Sequence, residues 1–203
     1  ENTGHTGCAY VLASDNEDQI TDLIAKSGFH GIKCYSYGAG KVETETLAVG
    51  EYLPEAAWVV ANSLRLPIIL HLMRPLALLD PDNLSYVTTM SHRYQNAQLV
   101  LAHCARGFAA WTSVKAIRTL VDNGNVWFDL SSICEPSPMM ACIIKNAGER
   151  TMWGSDDPIC MPRGRAVSLA TGQNWLTDLH AQKTRVIAEN LLAFYQSALL
   201  LNL

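Results

Sequence analysis

Six short apolar segments, each followed by an amphipathic stretch, divide the 203-residue sequence into units of similar length. The apolar segments have the length of strands and few polar interruptions, which is typical of strands covered on both faces. The stretches between them carry apolar residues at helical spacing. We predict strands at residues 8–12, 31–36, 67–72, 99–104, 126–132 and 151–156.

This alternation predicts an α/β fold with a parallel sheet. A doubly wound open sheet and a TIM-type (β/α) barrel are both compatible with it. No predicted strand is followed by a glycine-rich nucleotide-binding loop, which disfavours the open sheet. A full barrel has eight units and about 250 residues. We therefore predict one domain, residues 1–203, folded as a partial barrel of about six β/α units.

The composition argues against several classes of protein. Hydrophobic residues make up 49% of the chain and charged residues 17%, which is enough apolar material for a core. The net charge of −4 and the absence of a basic run argue against nucleic-acid and membrane partners. The six cysteines form no C-x-x-C pair, and several lie in apolar segments. This usage predicts reduced thiols in a cytoplasmic protein.

Reactive polar side chains lie at the carboxyl ends of five predicted strands: Lys33, His71, His103, Asp129 and Asp156. In a β/α barrel these ends meet at one mouth, where active sites lie. Two imidazoles and a carboxylate suit Zn²⁺ or a similar divalent ion, which would lower the pKa of a bound water whose proton Asp156 could accept. A strand-end histidine is also often a packing residue, so both interpretations stay open.

Five motifs surround these residues: GIKCY at 31–35, LPIILHL at 66–72, LVLAHCARGF at 99–108, VWFDLSS at 126–132 and WGSDDP at 153–158. In order and spacing they resemble the amidohydrolase-related family, the metal-dependent branch of the amidohydrolase superfamily that includes aminocarboxymuconate-semialdehyde decarboxylase and lactonases. The resemblance continues to AENLLAFY at 188–195, which is similar to a C-terminal helix of that family. It implies a TIM-type barrel in which the predicted strands are barrel strands 3 to 8.

The resemblance also implies roles for three residues. His71 matches a metal ligand on barrel strand five, and His103 matches a histidine on strand six that binds the metal or polarises the substrate and its water. Asp156 matches the strand-eight aspartate that binds the metal and shuttles a proton. The family carries a further His-x-His or Glu-x-His pair on strand one, and we expect that pair to precede Glu1. The implied metal is zinc, with manganese or iron as alternatives.

Other residues near the predicted mouth are candidates for substrate binding or for support of the metal ligands. Lys33 suits a substrate anion, or a carboxylated metal-bridging role. Arg74 and Arg106 each follow a proposed ligand by three residues and suit a bidentate clamp on a carboxylate, although solvated loop arginines are the alternative. Glu135 and Asp129 are candidates to hydrogen-bond a ligand histidine, or simply to cap local structure.

The expected function is metal-dependent hydrolysis of a small carbonyl substrate, a lactone or amide that bears a carboxylate. His103 would help to hold the oxyanion, and Asp156 would pass the proton to the leaving group. Non-oxidative decarboxylation on the same scaffold and a non-catalytic truncated barrel are the alternatives. Residues 158–175 are predicted to form a loop long enough to cover the mouth. Exposed strand edges would also permit a homo-oligomer.

Overall fold

The computed structural model describes residues 6–106, 110–120, 122–146, 149–157, 164–169 and 172–177. Within these residues, a six-stranded sheet alternates with five helices. The strands are β1 (Ala9–Tyr10), β2 (Ile32–Cys34), β3 (Pro67–Leu70), β4 (Gln98–Leu101), β5 (Val126–Asp129) and β6 (Thr151–Met152). The helices are α1 (Glu17–Ser27), α2 (Glu55–Leu64), α3 (Pro81–Arg93), α4 (Ala110–Leu120) and α5 (Pro136–Asn146).

The strands lie side by side in their order along the chain, and every neighbouring pair is parallel. A doubly wound sheet reverses its order at a switch point, and this sheet has no such reversal. Because parallel crossovers are right-handed, a sequential order puts the helices on one side and leaves the other side to curve inward. The predicted partial barrel is thus confirmed, with six parallel strands and five helices among the described residues.

The register determines which side chains share the inner face of the sheet. Lys33 on β2 pairs with Ile69 on β3, which pairs with Val100 on β4, which in turn pairs with Trp127 on β5. Alternate residues, such as Ile32, Ile68, Leu99 and Phe128, are fully buried against the helices. Because side chains alternate with a period of two, the residues two positions after Ile69 and Trp127 also belong to the inner face. These residues are His71 and Asp129.

Helices α1 and α3 begin where the sequence supplies strong caps. Asn16 and Gln19 form a reciprocal capping box at the start of α1, and Gly28 ends that helix with a φ of 63°. The side chain of Asp80 caps α3, whose first residue is Pro81. The first turn of α3 lacks the apolar periodicity of the rest, so the cap and Pro81 mark the start of the helix better than that periodicity does.

All six strands end before their predicted limits, and the difference matters most for the site at β4 and β6. β4 ends at Leu101, so His103 and Cys104 lie beyond it, and β6 ends at Met152, four residues before Asp156. β6 pairs only with β5, and over only two residues, so little holds the chain extended past that point. The site residues after these strands are therefore positioned by turns, where strand alternation does not apply.

Part of the predicted loop at residues 158–175 has regular structure. Strands β7 (Gly164–Leu169) and β8 (Gly172–Thr177) form an antiparallel hairpin. Residues 158–163 and the predicted helix at 188–195 lie outside the described residues. Among the helices that are described, none combines the length and the apolar composition that a membrane crossing requires.

Asn125 connects the end of α3 to the start of β5. Its Nδ2 donates to the carbonyl oxygens of Ser91, Tyr94 and Ala97 at 3.1, 3.3 and 3.0 Å. We expect Asn125→Ala to lower the free energy of unfolding by about 2–3 kcal/mol, because these carbonyls lose a buried donor. Urea denaturation measures this loss. Asn62→Ala, which removes an acceptor near the surface, should change stability by less than about 1 kcal/mol; equal losses would contradict the assignment.

Candidate active site at the carboxyl ends of the strands

The structure brings the predicted strand-end residues together. The rings of His71 and His103 meet edge to face, with centroids 5.2 Å apart. Nε2 of His103 lies 3.9 Å from Oδ2 of Asp156. The Asp129 carboxylate at the end of β5 raises the pKa of Lys33 on β2, and the charge of Lys33 lowers the pKa of His71. Five residues from five strand ends thus form one polar cluster on the inner face of the sheet.

His103 begins a left-handed turn of four residues that follows β4. The φ angles are 54°, 50°, 60° and 65° for His103, Cys104, Ala105 and Arg106. Left-handed backbone costs an ordinary residue about 1–2 kcal/mol, so four in succession require strong support from their surroundings. Part of that support is a buried contact of 3.4 Å between the thiol sulfurs of Cys104 and Cys142 on α5. No glycine or asparagine marks this turn, so sequence reasoning missed it.

The hydrogen bonds of His103 determine which ring nitrogen carries its proton. Nδ1 lies 3.0 Å from the carbonyl oxygen of Ser131 and 2.9 Å from its hydroxyl oxygen. A carbonyl oxygen can only accept, so Nδ1 is the donor in the neutral ring. The Nε2 lone pair is then on the side of Asp156, at the 3.9 Å separation.

Asp129 supports this arrangement from the end of β5. Its Oδ1 accepts from the backbone N–H of Ser131 at 2.9 Å, and its Oδ2 accepts from the Ser131 hydroxyl. Oδ2 also lies 3.5 Å from the backbone nitrogen of His103. Gly154 leaves room for the carboxylate, because a Cβ there would lie 2.7 Å from Oδ1. Asp129 therefore both caps its own turn and contacts His103 through Ser131.

His71 presents a neutral imidazole to the cluster. Burial lowers its pKa to about 4, and the positive charges of Lys33 and Arg106 add to the shift. Its Nδ1 is buried without a hydrogen-bond partner among the residues that the structure describes. Its backbone carbonyl accepts from the Tyr52 hydroxyl at 2.8 Å. An unpartnered buried nitrogen next to other ligand-type groups is unusual and suggests a missing ligand.

Lys33 and Tyr35 form the side of the cluster nearest β2. The Lys33 ammonium lies 4.6 Å from the centroid of the Tyr35 ring, whose centroid is 5.2 Å from that of His71. Burial lowers the pKa of Lys33, and the carboxylates of Asp129 and Asp156 oppose that shift. Sequence reasoning did not select Tyr35, although its position two residues after Lys33 was the available signal.

Asp156 is held by Ser132. The Ser132 hydroxyl donates to Oδ2 of Asp156 at 2.7 Å, and both residues have positive φ angles of 57°. The two serines of the VWFDLSS segment thus contact different site residues: Ser131 contacts His103, and Ser132 contacts Asp156. Sequence reasoning used this segment without assigning either serine, and the signal was their position directly after a strand-end aspartate.

Arg74 holds loops together beside the site. Its Nε donates to the carbonyl of Thr46 at 2.7 Å, and its Nη1 donates to Asp80 at 2.7 Å and to Asp82 at 2.8 Å. Protein acceptors therefore occupy the guanidinium edge that a substrate clamp would use. Arg74 thus joins these loops, and its expected substrate contact stays a prediction.

Arg106 lies at the edge of the cluster. The Arg106 guanidinium donates to the backbone carbonyl of Arg74 at 2.8 Å, and burial lowers its pKa. Its charge acts on His71, which makes it the arginine nearer to the site. Glu135 is half-buried in the segment that precedes α5, and its expected contact with a ligand histidine stays a prediction.

The donor types in the cluster fit a divalent metal ion. His71 offers an unpartnered nitrogen, and a lone pair of neutral His103 faces the Asp156 carboxylate. Two acceptors that face each other are stabilised by a cation between them. Across the described ranges, however, no three histidine, cysteine or carboxylate residues are arranged closely enough to surround one ion. The residues thus provide the chemistry of a metal site without a closed ligand set.

A comparison with protein families shows the family of the chain. The family model described as amidohydrolase matches residues 7–190, which include all five strand-end residues. The chain belongs to the amidohydrolase family. The family predicted from the five motifs is therefore confirmed. No sequence among the curated proteins matches the chain.

Solved structures of amidohydrolase-type proteins share the fold. An amidohydrolase from Burkholderia multivorans with bound HEPES superimposes with a TM-score of 0.52 at 16% identity, over 90% of this chain and 67% of that one. A 5-carboxyvanillate decarboxylase from Sphingomonas paucimobilis gives 0.50 at 12% identity, over 76% and 56%. A 4-oxalomesaconate hydratase from Rhodopseudomonas palustris gives 0.52 at 11% identity, over 75% and 52%. The chain spans about half to two thirds of the length of these structures.

The depressed pKa of His71 predicts a specific pH dependence of stability. As the pH falls below about 6.5, the unfolded chain takes up this proton before the folded chain does, so stability is lost between about pH 6.5 and pH 4. Between pH 7 and pH 4.5, metal-free wild-type protein should lose about 2 kcal/mol relative to His71→Asn. Urea denaturation in a chelating buffer measures the difference.

The exposed His92 on α3 provides the control for this measurement. His92→Asn should follow the wild-type pH dependence, since it leaves the buried imidazole in place. A constant difference between wild type and His71→Asn across this pH range would show that His71 is not held neutral by burial.

Proposed function

We propose that this amidohydrolase-family chain is a metal-dependent hydrolase that acts on a small carbonyl compound bearing a carboxylate, such as a lactone or an amide. The observation that supports this proposal is the convergence of His71, His103 and Asp156 at one end of the sheet. A hydrolytic metal site commonly takes two imidazole nitrogens and one carboxylate from the protein and leaves a position for a further ligand.

These three residues would be the contribution of the described chain to the ligand set, which they do not close by themselves. Zinc is the first candidate for the ion, and manganese or iron are the alternatives. When bound, a divalent ion supplies a Lewis acid to the substrate carbonyl and lowers the pKa of water. Burial already keeps His71 neutral at physiological pH, so its nitrogen needs no deprotonation before binding.

Asp156 is the proposed proton carrier. Its carboxylate accepts a proton from the attacking water and returns it to the leaving group. The hydrogen bond from Ser132 holds one carboxylate oxygen in place during both transfers. Because each proton travels a short distance within a fixed geometry, the step needs little reorganisation of the chain.

Lys33 is the proposed partner of the substrate carboxylate. Its side chain is partly buried, and a partly buried charge interacts with an anion more strongly than an exposed one. Arg106 supplies a second positive charge at the edge of the cluster, and the Tyr35 ring supplies an aromatic wall beside Lys33. This combination selects a planar, acidic substrate.

Decarboxylation is the second candidate function. It is supported by the same partly buried cation and by the likeness to the 5-carboxyvanillate decarboxylase. In that reaction Asp156 would deliver a proton to the carbon that releases carbon dioxide. Mass spectrometry of products separates the two reactions, because hydrolysis adds the mass of water and decarboxylation removes the mass of carbon dioxide. Product of neither kind from a panel of lactones, amides and aromatic acids would contradict both reactions.

Metal titration tests the site independently of any substrate. We expect the chelator-treated protein to bind one equivalent of Zn²⁺ or Mn²⁺, as measured by calorimetry and metal analysis. His71→Asn and Asp156→Asn should each weaken binding by about 100-fold or more, because each removes a direct ligand. His92→Asn should bind as wild type does. Stoichiometry below about a tenth of an equivalent, or equal affinity in all four proteins, would exclude this metal site.

A further inference from the structure

We propose that Ser131 is a positioning residue that, with Asp129, fixes neutral His103 in the Nδ1–H tautomer. The three residues form a continuous chain of hydrogen bonds from the end of β5 to the left-handed turn after β4. Ser131 and His103 are both buried, with exposures of 3% and 4%. Sequence reasoning assigned no function to Ser131.

The direction of this chain follows from counting its protons. The Asp129 carboxylate can only accept, so the Ser131 hydroxyl donates its single proton to Oδ2. The hydroxyl oxygen then has only lone pairs to offer, and Nδ1 of His103 must donate to it across 2.9 Å. The carbonyl oxygen of Ser131, 3.0 Å from the same nitrogen, imposes the same direction.

The opposite tautomer would create two repulsive contacts at once. If Nδ1 carried the lone pair, that lone pair would face the carbonyl oxygen of Ser131. If the hydroxyl turned its proton towards Nδ1, its oxygen lone pairs would face the Asp129 carboxylate at short range. In a buried site such contacts are poorly screened, so the arrangement selects one tautomer.

Asp129 also supports the backbone of the residue that it helps to orient. It accepts from the backbone N–H of Ser131, and it lies 3.5 Å from the backbone nitrogen of His103. Gly154 packs against both members of the pair, since a Cβ there would lie 2.7 Å from Asp129 Oδ1 and 3.2 Å from Ser131 Cβ. The ring of His103 thus has little freedom to rotate or to exchange its nitrogens.

The consequence for chemistry rests on the proposed function. A neutral histidine can bind a metal or accept a hydrogen bond only through the nitrogen that lacks a proton. With Nδ1–H directed towards Ser131, that nitrogen is Nε2, on the side of Asp156. Ser131 acts through His103 and need not contact a substrate.

Nitrogen NMR of the metal-free full chain tests the tautomer directly. In ¹⁵N-histidine-labelled protein at pH 8.5, where neutral imidazole predominates, we expect His103 to show a protonated Nδ1 and an unprotonated Nε2. His103→Asn assigns the signal. A predominant Nε2–H tautomer in the wild-type protein would overturn the proposal without any variant.

Variants test whether Ser131 and Asp129 set this preference. Ser131→Ala should raise the Nε2–H tautomer to a measurable fraction, about a tenth or more of the population, and Ser131→Thr should retain the wild-type state. Asp129→Asn should raise the fraction of the Nε2–H tautomer further. The new amide can donate to the Ser131 hydroxyl, which reverses the direction of the hydrogen bonds between residue 129, Ser131 and His103. Wild-type tautomer ratios in both Ser131→Ala and Asp129→Asn would overturn the proposal.

Ser113→Ala is the matched control for these variants. Ser113 is a fully buried serine of α4 whose hydroxyl has no partner among the described residues, so its removal deletes the same atom without breaking a hydrogen bond. It should leave the His103 spectrum and Zn²⁺ affinity unchanged. Ser131→Ala should weaken Zn²⁺ binding by about 10–100-fold, as loss of a residue that orients a ligand usually does.

The two proposals fail in different ways. Absence of Zn²⁺ binding by wild-type protein that shows the expected tautomer would remove the metal function and leave the role of Ser131 intact. Zn²⁺ binding with equal affinity in wild type and Ser131→Ala would retain the metal site and exclude Ser131 as its positioning residue. If substrate is turned over, the Ser131→Ala defect should fall on kcat with KM little changed, because Lys33 is untouched.

Discussion

The parallel pairing of six strands in chain order is the constraint on which the rest of the structure depends. It directs every strand end to the same edge of the sheet, and its register puts alternate residues on the inner face. Lys33, His71 and Asp129 become neighbours although they are far apart in sequence. A change of one residue in register would turn these side chains towards the helices, so the apolar packing behind the sheet indirectly maintains the site.

Beyond the strand ends, the site depends on turns with unfavourable backbone geometry that hydrogen bonds hold in place. His103, Ser132 and Asp156 all have positive φ angles. The Asp129–Ser131 pair stabilises the first of these turns, and Ser132 contacts Asp156 directly. Backbone strain of this kind persists only where the surrounding residues determine the geometry. In this chain the strained turns carry two of the proposed metal ligands, His103 and Asp156.

Burial and the neighbouring carboxylates act in opposite directions on the pKa values of the cluster. Desolvation lowers the pKa of both Lys33 and His71, and nearby carboxylates oppose the shift in each case. The result is a neutral imidazole beside a partly buried ammonium group and two acidic side chains. Such an environment suits a cation held by the histidines and Asp156 and an anionic substrate held by the lysine, which is the division of roles in the proposed function.

The sequence by itself determined the six β/α units, the family and the residues at the strand ends, because apolar periodicity and strand-end motifs are local signals. Only the tertiary structure decided that Arg74 binds Asp80 and Asp82, that α3 starts at Pro81, and that Ser131 contacts His103. These features depend on which groups meet across loops and turns. A four-residue left-handed turn without glycine leaves no local signature, since its support comes from residues distant in the chain.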